Sequence, residues 1–402
     1  MKKNAFIKVI LLSGAAGLVF LLAGCEYKGP AAIWHPNESL GEYPIILSVD
    51  PSGRAEAGVL EIKIRGLNFS PDTTKNTVYF NNQKAVIKSL ASVSDTAEIV
   101  VYRPNLSGNA ITIKVVVDST NVIGTQSGYG VSEVARLYGN VGAKNLIQFL
   151  AVDEQDNLYG ATSTDIRKID THEVMTTFGT LRYNKKNLKV SDMKIGPDGA
   201  LYFQTSKAKP LYRMVAADTA AVAQEYANFA TAVSYFDFDK NGNVYGGGDK
   251  TGLFVIKTDL SSQAVGDCSD LTIIVIHVYN DAVYVSNGTG IWRCPILGAD
   301  GSLGNKESVM DITQFARYAA VKILSFIMDE NGDFYISTNH PDAVFVYHPH
   351  DDTTEPMYTG ILISNGGQLV WGGGSYFYLN MRQASPTNDI MRITMGAKTA
   401  PK

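Results

Sequence analysis

The chain has 402 residues, of which 45% are hydrophobic and 18% are charged, and its formal net charge is −4. No stripe of Lys and Arg runs along the sequence. This argues against a nucleic-acid partner, because binding to a phosphate backbone depends on clustered cations. Beyond the first 25 residues no apolar run is long enough to cross a bilayer, which excludes a protein with several membrane-spanning helices.

The first 24 residues have the features of an export signal. Two lysines start the chain, residues 5–22 are mostly apolar, and Cys25 follows a Leu-Ala-Gly sequence. This pattern resembles the lipobox of bacterial lipoproteins, which implies cleavage before Cys25 and acylation of that residue. More than one acyl chain makes such an anchor stable. The alternative is an uncleaved anchor or a plain signal peptide. Residues 25–42 contain Pro and Gly without periodicity and are predicted to be a lipidated tether.

Residues 43–131 are predicted to form an Ig-like β-sandwich. About seven short strands separated by turn residues fit this length, and residues 61–66 alternate sharply between polar and apolar side chains. The order of the turn and core residues resembles the IPT/TIG family, and the match runs through Pro44, Pro51, Gly58, Ile64, Gly66, Asn68, Phe69, Val78, Phe80 and Pro104. The resemblance implies a spacer or adhesive domain in which Phe69 and Phe80 belong to the core.

Six copies of one pattern follow, each with an apolar strand, a tight turn rich in Asp, Asn and Gly, and an aromatic strand. The aromatic anchors are separated by 43, 43, 39, 51 and 43 residues, and they are Tyr159, Tyr202, Tyr245, Tyr284, Tyr335 and Tyr378. A period in the low forties with several short strands per copy is typical of a β-propeller. Residues 132–395 are therefore predicted to be a six-bladed propeller, followed by a tail, 396–402.

The last copy lacks a fourth strand, whereas residues 134–139 form a strand before the first copy begins. We predict that this strand pairs with the last blade and closes the ring, which removes exposed sheet edges. The turn pattern x-D-x-x-G-x-h-Y resembles NHL-type propellers and the related gluconolactonase-like and streptogramin-lyase-like families, and it occurs at 153–159, 197–202, 239–245 and 329–335. The resemblance implies the architecture, which hosts both binding and catalysis.

Polar residues gather on the predicted inner strands of the second, third and fourth copies. In register, the channel-facing positions include Asp192, Lys194, Tyr235, Asp237 and His277. Charges on an inner strand are costly unless they are paired. Two interpretations remain open: a structural bridge between Lys194 and Asp237 with His277 hydrogen-bonded nearby, or a binding site for a ligand or metal at the channel.

Metal chemistry has partial support in the sequence. Gluconolactonase-like enzymes hold a divalent cation with acidic and Asn ligands, but no Glu and no clear Asn pair occur on the inner strands here. Binding of a divalent cation therefore remains an open alternative, and no catalytic residue is predicted. The stretch 237–242 is similar to the start of a calcium loop, but Gly248 occupies the position that requires Glu, so we interpret it as a hairpin turn. His348 and His350 are expected on an edge loop.

The two remaining cysteines, Cys268 and Cys294, are predicted either to form a disulfide, as exported proteins permit, or to be free buried thiols. The insertion 295–322 carries Phe315 and Tyr318, which are expected either on an exposed sugar- or peptide-binding face or in the packing of the scaffold.

The sequence thus predicts an all-β protein, an Ig-like β-sandwich followed by a six-bladed β-propeller. We expect it to be exported and lipid-anchored to a bacterial outer membrane, on the periplasmic or the cell-surface side. The preferred function is a non-catalytic binding module whose propeller entrance face engages a glycan, a peptide or a partner protein. The alternatives are a metal-dependent lactonase-like hydrolase or lyase, and a structural subunit of an envelope complex.

Overall fold

A computed structural model describes residues 41–93, 95–118, 120–141, 146–214, 221–362, 366–381 and 390–401. These residues form β-strands, connections and two short 3-10 turns, Thr73–Lys75 and Ile312–Gln314. The predicted signal peptide, the lipidation site Cys25 and nearly all of the tether lie outside the described residues. Within the described part of the chain, no helix is long and apolar enough to cross a membrane.

The first domain is a sandwich of two antiparallel-dominated sheets. One sheet contains, in spatial order, Ile45–Asp50, Glu61–Leu67, Thr96–Tyr102 and Ile87–Val93. The other contains Arg54–Ala55, Gly124–Val131, Gly108–Val117, Asn76–Phe80 and Gln83–Lys84. Alternate residues of each central strand point inward and form one apolar core, as period-two strands require.

The Gly-x-Asn-Phe turn explains why the family pattern needs those residues. A Cβ on Gly66 would lie 2.3 Å from the ring of Phe69, so the ring packs directly on the glycine backbone. Asn68 adopts a positive φ of 60° and donates a hydrogen bond from its side chain to the Tyr43 carbonyl. Phe69 and Phe80 are both buried in the sandwich core, as predicted.

Six four-stranded sheets follow as the blades of a propeller. From inner to outer strand, blade 1 contains Phe149–Val152, Leu158–Ala161, Asp165–Ile169 and Met175–Thr180; blade 2 contains Val190–Ile195, Leu201–Thr205, Ala208–Met214 and Gln224–Val233; blade 3 contains Tyr235–Phe238, Val244–Gly247, Leu253–Ile256 and Ser262–Val265. Blade 4 contains Val275–Tyr279, Ala282–Ser286, Gly290–Pro295 and Glu307–Asp311; blade 5 contains Ile323–Met328, Phe334–Thr338, Val344–His348 and Thr353–Pro356; blade 6 contains Gln368–Trp371, Tyr376–Asn380, Ile390–Thr394 and Ala135–Tyr138.

Two additions complete this pattern. Ala221–Val222 pairs in parallel with the outer strand of blade 1, and Arg182–Tyr183 pairs with Lys186–Asn187 as a small hairpin between blades 1 and 2. The inner strands of neighbouring blades contact each other around the whole ring, including those of blades 6 and 1.

The ring closes as predicted. Ala135–Tyr138 is the outer strand of blade 6 and pairs antiparallel with Ile390–Thr394, from Ala135 opposite Ile393 to Tyr138 opposite Ile390. The Tyr138 ring is buried and lies 5.0 Å from the ring of Tyr378 on the same blade. With this strand in place, each of the six blades has four strands, and the third strand of blade 6 is paired on both sides.

The repeated turn is held by its aspartate. Asp239 accepts hydrogen bonds from the backbone N–H groups of Asn241 and Asn243, both at 2.9 Å, and from the hydroxyl of Tyr245 at 3.2 Å. Asp153 and Asp329 make the same three contacts in blades 1 and 5. This geometry confirms the interpretation of 237–242 as a structural hairpin turn, and it gives the tyrosines of blades 1, 3 and 5 a shared structural role.

The sandwich contacts the propeller through a buried polar cluster. The hydroxyl of Tyr358 accepts from Gly58 N–H and donates to the Thr394 carbonyl, both at 2.8 Å. Arg103 is buried, donates to the carbonyls of Ala55, Glu56, Val59 and Ser132, and lies 6.0 Å from the Tyr358 ring. The end of the sandwich is therefore fixed to blades 5 and 6 by hydrogen bonds as well as by apolar packing.

Candidate functional site

The central channel widens into a cavity at each end. We define the entrance face as the face that carries the connections leading into the inner strands and those between second and third strands. The entrance cavity has a volume of about 330 Å³, is lined by the amino-terminal ends of the inner strands, and includes Asp192, Lys194, Tyr235, His277 and Gln368. The opposite cavity, of about 480 Å³, is lined by the other ends of the same strands.

All five predicted channel residues line these cavities. Asp192 and Tyr235 line the entrance cavity, Asp237 lines the opposite cavity, and Lys194 and His277 lie at the level shared by both. The inner-strand register read from the repeats therefore placed these side chains on one surface. Their detailed pairing differs from the prediction in one respect.

Asp192 joins blade 2 to blade 3. Its carboxylate is 5% exposed and accepts from its neighbour Met193 N–H at 2.9 Å and from Phe236 N–H on the next inner strand at 3.0 Å. The Lys194 ammonium lies 3.5 Å from the same carboxylate, on the same strand. Burial raises the pKa of Asp192, while the charge of Lys194 and the two amides act in the other direction.

The ion pair that the structure shows for Lys194 is thus with Asp192, whereas one of the two sequence interpretations paired Lys194 with Asp237. The reason lies in the strand geometry, because residues two apart share one face of a strand and come within reach of each other. Asp237 instead bonds Phe238 N–H at 2.8 Å and Val278 N–H of blade 4 at 2.9 Å, and the His277 ring nitrogen Nδ1 lies 3.6 Å from it.

The same inter-blade bond recurs with uncharged side chains. Ser325 Oγ accepts from Leu369 N–H at 3.1 Å, joining blades 5 and 6. Gln368 accepts from Leu150 N–H at 2.7 Å and donates to the Leu150 carbonyl at 3.1 Å, joining blades 6 and 1. Asp192 and Asp237 thus join neighbouring blades, which is a structural role different from the Lys194–Asp237 bridge of the sequence interpretation. Sequence reasoning did not assign this role to Ser325 and Gln368, although both occupy the same channel-facing register.

Three groups offer hydrogen bonds or charge to a ligand at the entrance cavity. Tyr235 is half-buried, and its hydroxyl has no hydrogen-bond partner among the residues that the structure describes; burial, then the nearby Asp192 charge, raises its pKa. Lys194 keeps 15% of its side chain exposed. His277 is 8% exposed and packs against Tyr279 and Phe326, with ring centroids 5.5 and 5.2 Å away.

No group of three or more His, Cys, Asp or Glu side chains is placed to share a metal ion within the described ranges. The carboxylate oxygens of Asp192 and Asp237 already accept backbone N–H groups. At the blade edge, His348 bridges Asp333 at 3.0 Å and Glu355 at 3.3 Å. Burial opposes the charged form of His348, but these two acids raise its pKa overall.

The cysteines and the insertion aromatics have structural surroundings. Cys268 and Cys294 are free buried thiols in the structure, and their sulfur atoms lie 3.7 Å apart. The two side chains are therefore direct neighbours, but no disulfide joins them. Tyr318 is buried and stacks on Phe345 at 4.2 Å, and Phe315 packs against Tyr347 at 5.8 Å. Of the two expectations for these aromatics, scaffold packing is what the structure shows.

The chain itself covers part of the opposite cavity. Residues 399–401 line that cavity, and Ala400 N–H donates to the Met328 carbonyl at 2.9 Å. The Pro401 carbonyl accepts from Asn280 N–H at 2.7 Å, and Glu330 N–H donates to the Lys398 carbonyl at 2.8 Å. The predicted tail is thus an extended segment bonded across blades 4 and 5, which directs attention to the entrance cavity as the binding site.

Comparison with known proteins supports the architecture. Residues 44–131 match the IPT/TIG domain family. An auxiliary nutrient binding protein from Bacteroides ovatus superposes with a TM-score of 0.51 at 13% identity, covering 90% of this chain and 99% of that one. Another, from Bacteroides thetaiotaomicron, has a TM-score of 0.51 at 14% identity, covering 91% and 99%. A luciferin-regenerating enzyme has a TM-score of 0.50 at 12% identity, covering 67% and 97%. No protein of curated function matches the sequence. At these identities the likenesses show the fold alone.

Proposed function

We propose that this protein is a lipid-anchored binding protein of the cell envelope, whose propeller binds a glycan at the entrance cavity. The tether and the sandwich hold the propeller away from the membrane, and Cys25 carries the anchor. The observation that carries the proposal is the entrance cavity itself. There the Tyr235 hydroxyl, which has no partner among the described residues, and the Lys194 ammonium stand beside further polar side chains and beside the half-exposed apolar side chains of Phe149, Ile274 and Leu324.

The chemistry of the cavity suits a sugar. Tyr235 and Lys194 offer a hydroxyl and an ammonium to ring hydroxyls, while Phe149, Ile274 and Leu324 are half-exposed and provide apolar surface for the C–H faces of a sugar ring. The volume of about 330 Å³ is at the lower end of the range for small-molecule sites, so the cavity suits the end of a chain or one or two sugar units.

The fold adds support. The two auxiliary nutrient binding proteins share this whole two-domain arrangement over nearly their full length. We carry the idea of nutrient binding from those proteins to this one as part of the proposal. A position at the outer membrane is also part of the proposal, and it rests on the resemblance of residues 1–25 to bacterial lipoproteins.

The test is isothermal titration of the detergent-solubilised full chain with a panel of neutral and acidic oligosaccharides, followed by the same titration of Tyr235→Ala. We expect at least one glycan to bind, and the variant to bind it about tenfold more weakly, which corresponds to about 1.4 kcal/mol. Lys240→Ala is the matched control, because Lys240 lines the opposite cavity. Equal weakening by both variants, or binding to none of the glycans, would refute a sugar site at the entrance.

An activity assay on the same protein distinguishes the enzyme alternative from the binding protein. Among the described residues of the channel, His277 and Asp237 resemble a general base with its orienting acid, with His277 Nδ1 3.6 Å from the carboxylate of Asp237. Turnover of lactones that stops on addition of chelator and in His277→Gln would favour a metal-dependent lactonase-like hydrolase or lyase over the binding protein.

A further inference from the structure

The connection between blades 1 and 2 carries an unusual charge. Residues 181–189 contain Arg182, Lys185, Lys186 and Lys189 and no acidic residue, and all four cations are exposed. Among the residues that the structure describes, none of these four forms an ion pair with a carboxylate. The chain as a whole has a net charge of −4, so this concentration of positive charge is local.

The fold holds this connection in a defined shape. Arg182–Tyr183 and Lys186–Asn187 pair as a hairpin, with Asn184 and Lys185 at positive φ in the turn. Tyr183 packs against Tyr212 of blade 2, with ring centroids 5.5 Å apart. The cations therefore project from a packed hairpin on the entrance face.

Two more entrance-face loops extend the same charge. Residues 205–210 carry Lys207 and Lys209, and residues 246–252 carry Lys250 with the single acid Asp249, which pairs with Lys207 at 3.3 Å. Together the three loops present seven cations and one carboxylate, and we call them the cationic rim: residues 181–189, 205–210 and 246–252. On blade 5 the pattern differs, because Arg317 of the same face is paired with Asp342 at 2.7 Å.

The cationic rim is continuous with the entrance cavity. Lys189 is followed within three residues by Ser191 and Asp192, which line the cavity. Lys207 N–H donates to the Ser234 hydroxyl at 3.1 Å, next to Tyr235. A chain-like ligand with its end in the cavity would thus cross the rim as it leaves.

We propose that the ligand is an acidic polysaccharide, with a carboxylate or sulfate on repeating sugars, and that the cationic rim selects it. Like charges held together on a surface repel each other, and a polyanion laid across them removes that repulsion. A polysaccharide offers this charge together with neutral ring surfaces for the cavity, which a single small anion does not. This inference rests on the proposed function and specifies its ligand class.

The test measures binding of the full chain to polygalacturonate, dextran sulfate and neutral dextran by affinity electrophoresis and titration at two salt concentrations. We expect both acidic polymers to bind at least tenfold more tightly than neutral dextran, with binding weakened by salt because the contacts are between exposed charges. The first polymer reports carboxylate and the second reports sulfate. The variant Arg182→Gln/Lys185→Gln/Lys186→Gln should lose at least tenfold in affinity for the acidic polymers.

A matched control removes the same charge elsewhere. Lys63→Gln/Lys75→Gln/Lys84→Gln changes three exposed lysines of the sandwich and should leave affinity within twofold. The inference is overturned if both triple variants lose affinity equally, if neutral dextran binds as well as the acidic polymers, or if duplex DNA or anionic phospholipid vesicles bind as tightly. Neutral glycan binding that depends on Tyr235 but not on the cationic rim would retain the proposed function and reject the acidic ligand. Binding to no polysaccharide would reject both.

Discussion

Replacing Asp192 by Asn tests whether the polar inner strands hold the ring together. The substitution preserves volume but turns one acceptor oxygen into an NH2 group. One of the buried amides, Met193 N–H or Phe236 N–H, then faces a donor in place of an acceptor. A buried N–H left without a partner costs about 1–3 kcal/mol. Lys194 also loses its carboxylate while remaining mostly buried.

We therefore expect the unfolding free energy to fall by about 2–4 kcal/mol. The assay is urea unfolding followed by tryptophan fluorescence, since Trp292 and Trp371, the two tryptophans among the described residues, both belong to the propeller. A lower midpoint at unchanged slope indicates a loss of stability. Asp249→Asn, an exposed acid paired with Lys207, is the control and should leave the midpoint unchanged.

The pH dependence sharpens this test. Burial raises the pKa of Asp192 above its ordinary 3.8, so the folded state holds this proton more tightly than the unfolded state. The contribution of this carboxyl to folding therefore becomes more favourable as pH falls through its folded-state pKa. The amide of the variant cannot take up this proton, so the difference in unfolding free energy between wild type and Asp192→Asn should widen as pH falls toward 3.8. An Asn variant with the wild-type midpoint at neutral pH would refute the structural role of Asp192.

Four further expectations follow from the geometry. Tyr358→Phe removes the hydroxyl that joins the sandwich to the propeller and should lower the unfolding free energy by about 1–3 kcal/mol; an unchanged melt would contradict this. His348 gains its acidic partners on folding, so its stabilisation is complete below pH 6.5 and is lost as pH rises through its raised pKa; Asp333→Asn should flatten that part of the pH–stability curve, and an unaltered curve would argue against it. Deleting residues 132–140 should lower the melting temperature of the whole propeller, and an equal melting temperature would reject closure as a stabilising feature. Cys25→Ser should release the protein from membranes, whereas retention in the pellet after a high-salt wash would reject the lipid anchor.

The repeats made the propeller readable from the sequence. In the copies that form blades 1, 2, 3 and 5, the tyrosine hydroxyl of the aromatic anchor donates a hydrogen bond to an aspartate of the turn, and this bond links the two features. Because local turn chemistry and strand period agree in every such copy, the architecture follows from short-range signals. Ring closure was also predictable, because the strand at 134–139 precedes the first copy and the sixth copy lacks a fourth strand.

The details of the site were less accessible. Register placed Asp192, Lys194, Asp237 and His277 on the channel side, but the partner of each depends on side-chain reach within and between strands. The sequence was equally compatible with exposed and with packed aromatic side chains in the insertion 295–322. Tyr318 is packed because it stacks on Phe345, and this tertiary contact was not visible in the sequence. The cationic rim was missed for a different reason. Four of its cations stand close together at 182–189, but the other two loops lie elsewhere in the sequence, and only the blade arrangement gathers all three loops on one face.

The closing strand also constrains the order in which the protein can be made. Ala135–Tyr138 is synthesised early, directly after the sandwich, yet its hydrogen-bonding partner Ile390–Thr394 is among the last segments of the chain. Throughout synthesis the growing propeller therefore carries two unpaired strand edges, which are sites for wrong association. Arg103, through its bond to the Ser132 carbonyl, fixes the chain three residues before this strand as soon as the sandwich has folded. We therefore expect the sandwich to fold first and to hold Ala135–Tyr138 in position until Ile390–Thr394 has been synthesised.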